Sequence, residues 1–209
     1  DQAALDREGA ELAAVTHGHP LGWMPAAALT HILSRCLAAP EQGLRAIVRE
    51  ARGAMAALYP GNEHLGTLLG IMDRAMALAD RGGGDRENIR ALGEGWVAEE
   101  TLGIAIYCAM RYEKNFSGGI IAAVNHDGDS DSTGAVTGNI LGTYLGERAI
   151  DGKWMRDLEL RDVIGEVADD LCRGCRMQEY SSCRDPAWER KYVQARRAQE
   201  ETQERNGEE

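Results

Sequence analysis

From Thr133 to Gly146 the chain runs for fourteen residues without a charge, and glycine recurs at positions 134, 138, 142 and 146. Residues four apart share one face of a helix, so this row forms a strip without side chains along which a second helix can approach closely. Each glycine costs about 1 kcal/mol of helix propensity relative to alanine, and close packing offsets that loss. The run therefore predicts a buried, central helix of a helical bundle. A membrane span would need about 20 apolar residues. This segment is shorter and holds Asn139 and three threonines, so no membrane partner is expected.

The rest of the chain favours the same class. There is one Phe, β-branched residues are sparse, and Ala, Leu, Glu, Arg and Met are plentiful, a balance that tilts propensity towards helix and predicts an all-α fold. Apolar residues fall at helical spacing over 2–15, 25–37, 42–58, 64–78, 97–112 and 117–124. Pro40, the Pro60-Gly61-Asn62 run, Gly82 to Gly84 and the Gly93/Gly95 pair break the pattern where turns are expected. An amphipathic helix is predicted over 158–171 and another starting near Trp188, whereas the chain after Arg196 is almost wholly polar and should fray. With 209 residues, 44% of them hydrophobic, one compact domain is expected, over 1–192, followed by a charged tail over 193–209.

Charge and cysteine content narrow the partners. Acidic residues outnumber basic ones by 34 to 23, giving a net charge of −11, and no basic stripe with interleaved aromatics tracks a phosphate backbone, so nucleic acid is not an expected partner. Five cysteines, an odd number, fit a reducing cytoplasm better than a disulfide scaffold.

The segment Asn125-His126-Asp127-Gly128-Asp129-Ser130-Asp131-Ser132-Thr133 places three carboxylates at alternate positions just before the uncharged helix. Such charges repel, and a hard divalent cation is the simplest neutraliser. Carboxylates with an adjacent hydroxyl offer oxygen only, which suits Mg²⁺, Mn²⁺ or Ca²⁺ and not Zn²⁺. An EF-hand loop starting at Asp127 would need Gly and Glu where Ser132 and Gly138 stand. An aspartyl phosphatase would need a preceding buried strand, but residues 120–124 continue a helical pattern. A solvated turn whose Asp and Ser residues cap the helix remains the plain alternative.

Other signals are weaker. Cys172, Cys175 and Cys183 form a C-x₂-C-x₇-C pattern without a fourth ligand nearby, which favours packing or surface thiols over zinc. His17 and His19 are more commonly helix-terminal residues that satisfy backbone carbonyls than a metal pair. Gly82-Gly83-Gly84-Asp85 lacks the strand and the Lys-Ser/Thr pair of a phosphate cradle and reads as a flexible connection. Trp96 is either a stacking surface for a flat ligand ring or a core anchor at a helix start.

The string from Val124 to Ala135, followed by the glycine-spaced helix, resembles the C-terminal metal motif of ADP-ribosylglycohydrolases. Ala14-Val15-Thr16-His17-Gly18-His19-Pro20 is similar to the family's Thr-His segment, and Gly95-Trp96-Val97-Ala98-Glu99-Glu100-Thr101 to the segment before its penultimate core helix, in matching order from about Glu11 to Trp188. The resemblance implies a compact, orthogonal multi-helix array with two Mg²⁺ or Mn²⁺ ions in a central cleft that binds ribose. It implies Asp129, Asp131 and Ser132 as metal ligands, Asp129 or Asp131 as candidate catalytic carboxylates, and His17 and Trp96 as substrate-binding residues. Asp127, outside the motif, would sit behind the ligands or in solvent. The implied activity is metal-assisted hydrolysis of the glycosidic link between ADP-ribose and a protein side chain or small conjugate. The alternative is a non-catalytic ADP-ribose-binding or structural relative. The family's first metal motifs, a Gly-Asp-Ala-type turn and a Thr-Asp-Asp segment, lie upstream of its Thr-His segment, and nothing before Glu11 can hold them. Residues 1–192 are therefore expected to be the C-terminal portion of an N-terminally truncated domain, a fragment of a longer enzyme or a shortened relative, inactive by itself.

Overall fold

The computed structural model describes residues 1–173, 186 and 189–194. The chain forms two compact units, Asp1–Arg156 and Asp157–Glu209. The described residues are helical with no strand, as the composition predicts.

In the first unit α1 (Gln2–Ala14) is capped by Asp1, whose carboxylate accepts from the Ala3 N–H. The next helix, α2 (Pro20–Ala38), starts five residues before the predicted position, and Pro25 lies inside it. The reason is local: His19 accepts from Leu21 N–H at 3.2 Å through Nδ1, and Pro20 occupies the first turn, where its missing N–H costs nothing. There follow α3 (Leu44–Leu58), α4 (Leu65–Arg81), α5 (Asp85–Arg90), α6 (Ala98–Arg111), α7 (Phe116–Val124), α8 (Ser130–Leu145) and the single turn α9 (Gly152–Met155).

The centre of this unit is α6. Every residue from Thr101 to Ala109 is buried, and the helix packs on α2, α4, α7 and α8. A helix that is apolar around its circumference has to be covered on all sides. Ile104, Ile106 and Tyr107 are fully buried in one core with Met24, Leu68, Met72 and Ile140, and each of the two isoleucines contributes about 1.5–3 kcal/mol by leaving water.

The glycine helix, α8, is not the central one. Thr133, Thr137, Ile140 and Leu141 are buried, but Ala135 and Asn139 are exposed, and the Asn139 amide donates to Ala135 O on the open side. Its glycine row does pack against a helix, as expected. A Cβ on Gly134 would lie 2.6 Å from Val124 Cγ1, one on Gly138 3.5 Å from Ile120 Cδ1, and one on Gly142 3.9 Å from Phe116 Cε2, so the row faces α7 and the two helices splay apart from the α8 N-terminus. A strip without side chains allows close approach but presents little area to bury.

The short helix α5 has no apolar period and was not legible in the sequence. Tertiary bonds hold it: Asp85 accepts from the hydroxyls of Tyr107 and Tyr112, each at 2.6 Å. The glycine triplet before it is a defined turn, with φ of 75° at Gly82 and 97° at Gly83. The Asn88 amide donates to Gly82 O at 3.0 Å and fixes that turn.

In the second unit α10 (Arg161–Cys172) matches the predicted amphipathic helix, with Val163, Ile164 and Leu171 exposed. Glu189–Gln194 is helical, and Lys191 donates to Asp170 at 2.7 Å. Cys172 is exposed; Cys175, Cys183, Trp188 and the tail after Arg196 lie outside the described residues. Among the described residues no helix is long and apolar enough to cross a membrane.

Candidate metal-binding site

The acidic loop joins α7 to α8, and hydrogen bonds made by residues on either side give it its shape. Thr133, in the first turn of α8, is fully buried, and its hydroxyl donates to Ala123 O at 2.7 Å at the end of α7. His126 Nε2 lies 2.9 Å from the same hydroxyl oxygen, and its Nδ1 accepts from Gly128 N–H at 3.1 Å.

A second segment closes on the loop from the α6 side. Asp129 N–H donates to Glu94 O at 2.8 Å. A Cβ on Gly128 would lie 1.8 Å from that same carbonyl oxygen, so only glycine allows the two backbones to meet. Gly95 turns with φ 84° directly over Thr133 and Asp129. The first turns of α6 hold this segment in place: the Glu100 carboxylate accepts from Glu94 N–H at 3.0 Å and Gly95 N–H at 3.1 Å, and the Thr101 hydroxyl donates to Gly95 O at 2.7 Å.

Asp129 is the N-cap residue of α8, yet its side chain makes no capping bond. The capping-only reading therefore does not describe it. Asp131 is exposed in the first turn. Its carboxyl is held below the usual carboxylate range, first by a hydrogen bond shared with the Asp129 carboxyl, then by the N–H groups of Asp131 and Ser132. The two carboxyl groups thus meet at a helix N-terminus, where the dipole favours negative charge. With the neighbouring Ser132 hydroxyl, their chemistry is oxygen-only, the kind that suits a hard divalent cation. Among the described residues no three His, Cys, Asp or Glu side chains converge as a metal-binding group.

Asp127 points the other way. Its carboxylate accepts from Arg86 Nε at 3.1 Å and from Arg90 at 3.0 Å, both on α5. Arg86 and then Arg90 hold that carboxyl below its ordinary range. One of the three clustered charges is therefore neutralised by arginines.

Asp129 and Ser132 line a cavity of about 340 Å³ together with Trp96, and with Pro25, Leu29 and Val136 on its apolar wall. Trp96 is 67% exposed and its indole N–H donates to Glu94 at 3.0 Å, so it is a rim residue and not a core anchor. His17 is exposed beyond α1, with Nδ1 2.9 Å from the Thr16 hydroxyl. It packs behind Gly22, which lines the cavity. His19 caps α2 by accepting an N–H and does not bond a carbonyl; its ring lies 4.4 Å from that of His64.

His126, Glu100 and the Arg86/Arg90 pair were missed as contributors to the site. The arginines, at i and i+4 of a polar segment, were the available signal of a carboxylate partner. His126 stood inside the motif without an assigned role. Neither the curated proteins nor the solved structures contain a match to this chain. The family model of ADP-ribosylglycohydrolases matches residues 1–181, and the chain belongs to that family.

Proposed function

We propose that this chain contributes Asp129, Asp131 and Ser132 to a centre of two Mg²⁺ or Mn²⁺ ions in a hydrolase that cleaves the glycosidic link of ADP-ribose to a protein side chain or a small conjugate. The observation that carries this reading is Asp129, an N-cap without a capping bond, beside Ser132 at the edge of a cavity lined by Trp96. Bound there, a divalent ion would orient ribose hydroxyls and stabilise charge that develops at the anomeric carbon. Asp129 and Asp131 would hold it through carboxylate oxygens and Ser132 through its hydroxyl, with water, substrate and further protein ligands completing the shell. The exposed face of Trp96 offers a stacking surface for a base, and the His17 ring N–H a donor for a sugar hydroxyl. Either aspartate can hold a proton on a carboxylate oxygen during turnover.

Release of free ADP-ribose by the protein from ADP-ribosylated proteins and small conjugates, with and without Mg²⁺ or Mn²⁺, is the test. Metal-dependent release is expected, lost in Asp129→Asn and in Asp131→Asn while the helical circular dichroism signal stays. ADP-ribose binding without release would favour the non-catalytic relative, and full activity of the double variant would overturn the ligand assignment.

A further inference from the structure

We infer that His126 is a positioning residue for the metal-binding turn, and this rests on the reading of Asp129, Asp131 and Ser132 as ligands. Carboxylates two residues apart on one turn, as Asp129 and Asp131 are, repel when ionised, so the backbone that carries them has to resist being pushed apart. One restraint is the bond from Asp129 N–H to Glu94 O. The second is the His126 ring, which spans from Gly128 to Thr133 and so bridges the residues between which all three ligands lie.

The neighbours fix the protons on that ring. The Thr133 hydroxyl has one proton and three carbonyls within reach, Ala123 O at 2.7 Å, Asp129 O at 3.0 Å and Ser130 O at 3.3 Å. Its oxygen is therefore free to accept, and His126 Nε2 must be the donor. Gly128 N–H needs an acceptor, which makes Nδ1 the bare nitrogen. Both ends of the imidazole thus independently require the Nε2–H tautomer. The ring is half-buried and fastens the turn to Thr133, which is fully buried, while contributing no donor to the metal itself. Outer partners of this kind are what hold ligands within a workable geometry.

Titration of the 209-residue chain with Mn²⁺, following free Mn²⁺ by electron paramagnetic resonance beside thermal melts, tests this. His126→Ala and Thr133→Val should each weaken Mn²⁺ binding by about 10–100-fold. The double variant should be no weaker than the weaker single one, because ring and hydroxyl act in series. His126→Asn should recover part of the loss, since an asparagine Oδ1 can accept from the N–H two residues on, and Thr133→Ser should bind as the wild type does. These two variants keep the test open if His126→Ala does not fold. Thr137→Val is the control: that hydroxyl is buried one turn along α8 with no partner, and Mn²⁺ affinity should not change. Wild-type affinity in His126→Ala, or equal weakening in Thr137→Val, would overturn the inference. A wild-type chain that binds no Mn²⁺, or binds it as well with both aspartates replaced by Asn, would overturn the ligand reading and this inference with it.

Discussion

Asp127 and Asp129 stand two residues apart on one acidic loop, and the two flanks of that loop meet different surroundings. On the α5 flank, Asp127 sits between Arg86 and Arg90, and its charge is balanced by cations fixed in the protein. On the other flank, neither Asp129 nor Asp131 forms an ion pair with a Lys, Arg or His among the described residues; Asp129 lines a mostly apolar cavity and Asp131 is exposed beside it. A charge cluster in sequence is thus two things in space. One part the protein neutralises for itself, and the part that it leaves without a fixed counter-charge is where a cation gains most.

The comparison is broken most directly at the carboxylates. Asp129→Ala and Asp131→Ala should each cost the 209-residue chain at least tenfold in Mn²⁺ affinity, about 1.4 kcal/mol, while Asp127→Ala leaves it unchanged. Isothermal titration measures all three, and equal losses across the set would show that the loop acts as a single anionic patch. Wild-type affinity itself should be weak, because Mg²⁺ and Mn²⁺ take more oxygens than these three residues supply.

Next in size is the backbone contact that separates the flanks. Gly128→Ala puts a methyl group 1.8 Å from Glu94 O, an atom that cannot rotate away, and should destabilise by about 1–3 kcal/mol in a thermal or urea melt. The α8 glycines sharpen the point with a graded pair. Gly134→Leu should cost about 1–3 kcal/mol against Val124, whereas Gly138→Ala has ordinary van der Waals room beside Ile120 and should leave the melting midpoint equal or raised, since alanine gains up to about 1 kcal/mol of helix propensity. Equal losses at the two positions would mean that α7 and α8 are parallel along the row and do not splay.

The smallest effect belongs to Asp127. Its carboxyl is held below the ordinary value by Arg86 and Arg90, so the stability it confers is present above that ordinary value and is lost as pH falls through the lowered one. Thermal melts between about pH 5 and about pH 2 should show a shallower acid decline in Asp127→Asn than in the wild type. Because the pair is exposed, the difference should shrink further in high salt. A steeper decline in the variant would place the stabilising charge elsewhere.

Some of this was legible in the residues alone. Helical periodicity placed seven of the longer helices, because that signal depends on neighbours within a few residues; the oxygen-rich spacing at Asp129, Asp131 and Ser132 supports the proposed hard-cation donor set by the same local logic. The start of α2 was misread because a histidine cap is a weak sequence signal, and α5 was missed because a polar helix has no period to see.

What the sequence by itself determined is the class of the fold, all helices, since propensity is a property of the side chains themselves. The tertiary structure alone decided that α6 and not α8 lies at the centre, that Asp127 turns to two arginines 41 and 37 residues away, and that Trp96 joins Asp129 at one cavity. Each of these depends on which distant surfaces are buried together, and burial follows from the area that packed helices hide from water, a quantity that no local stretch of residues contains.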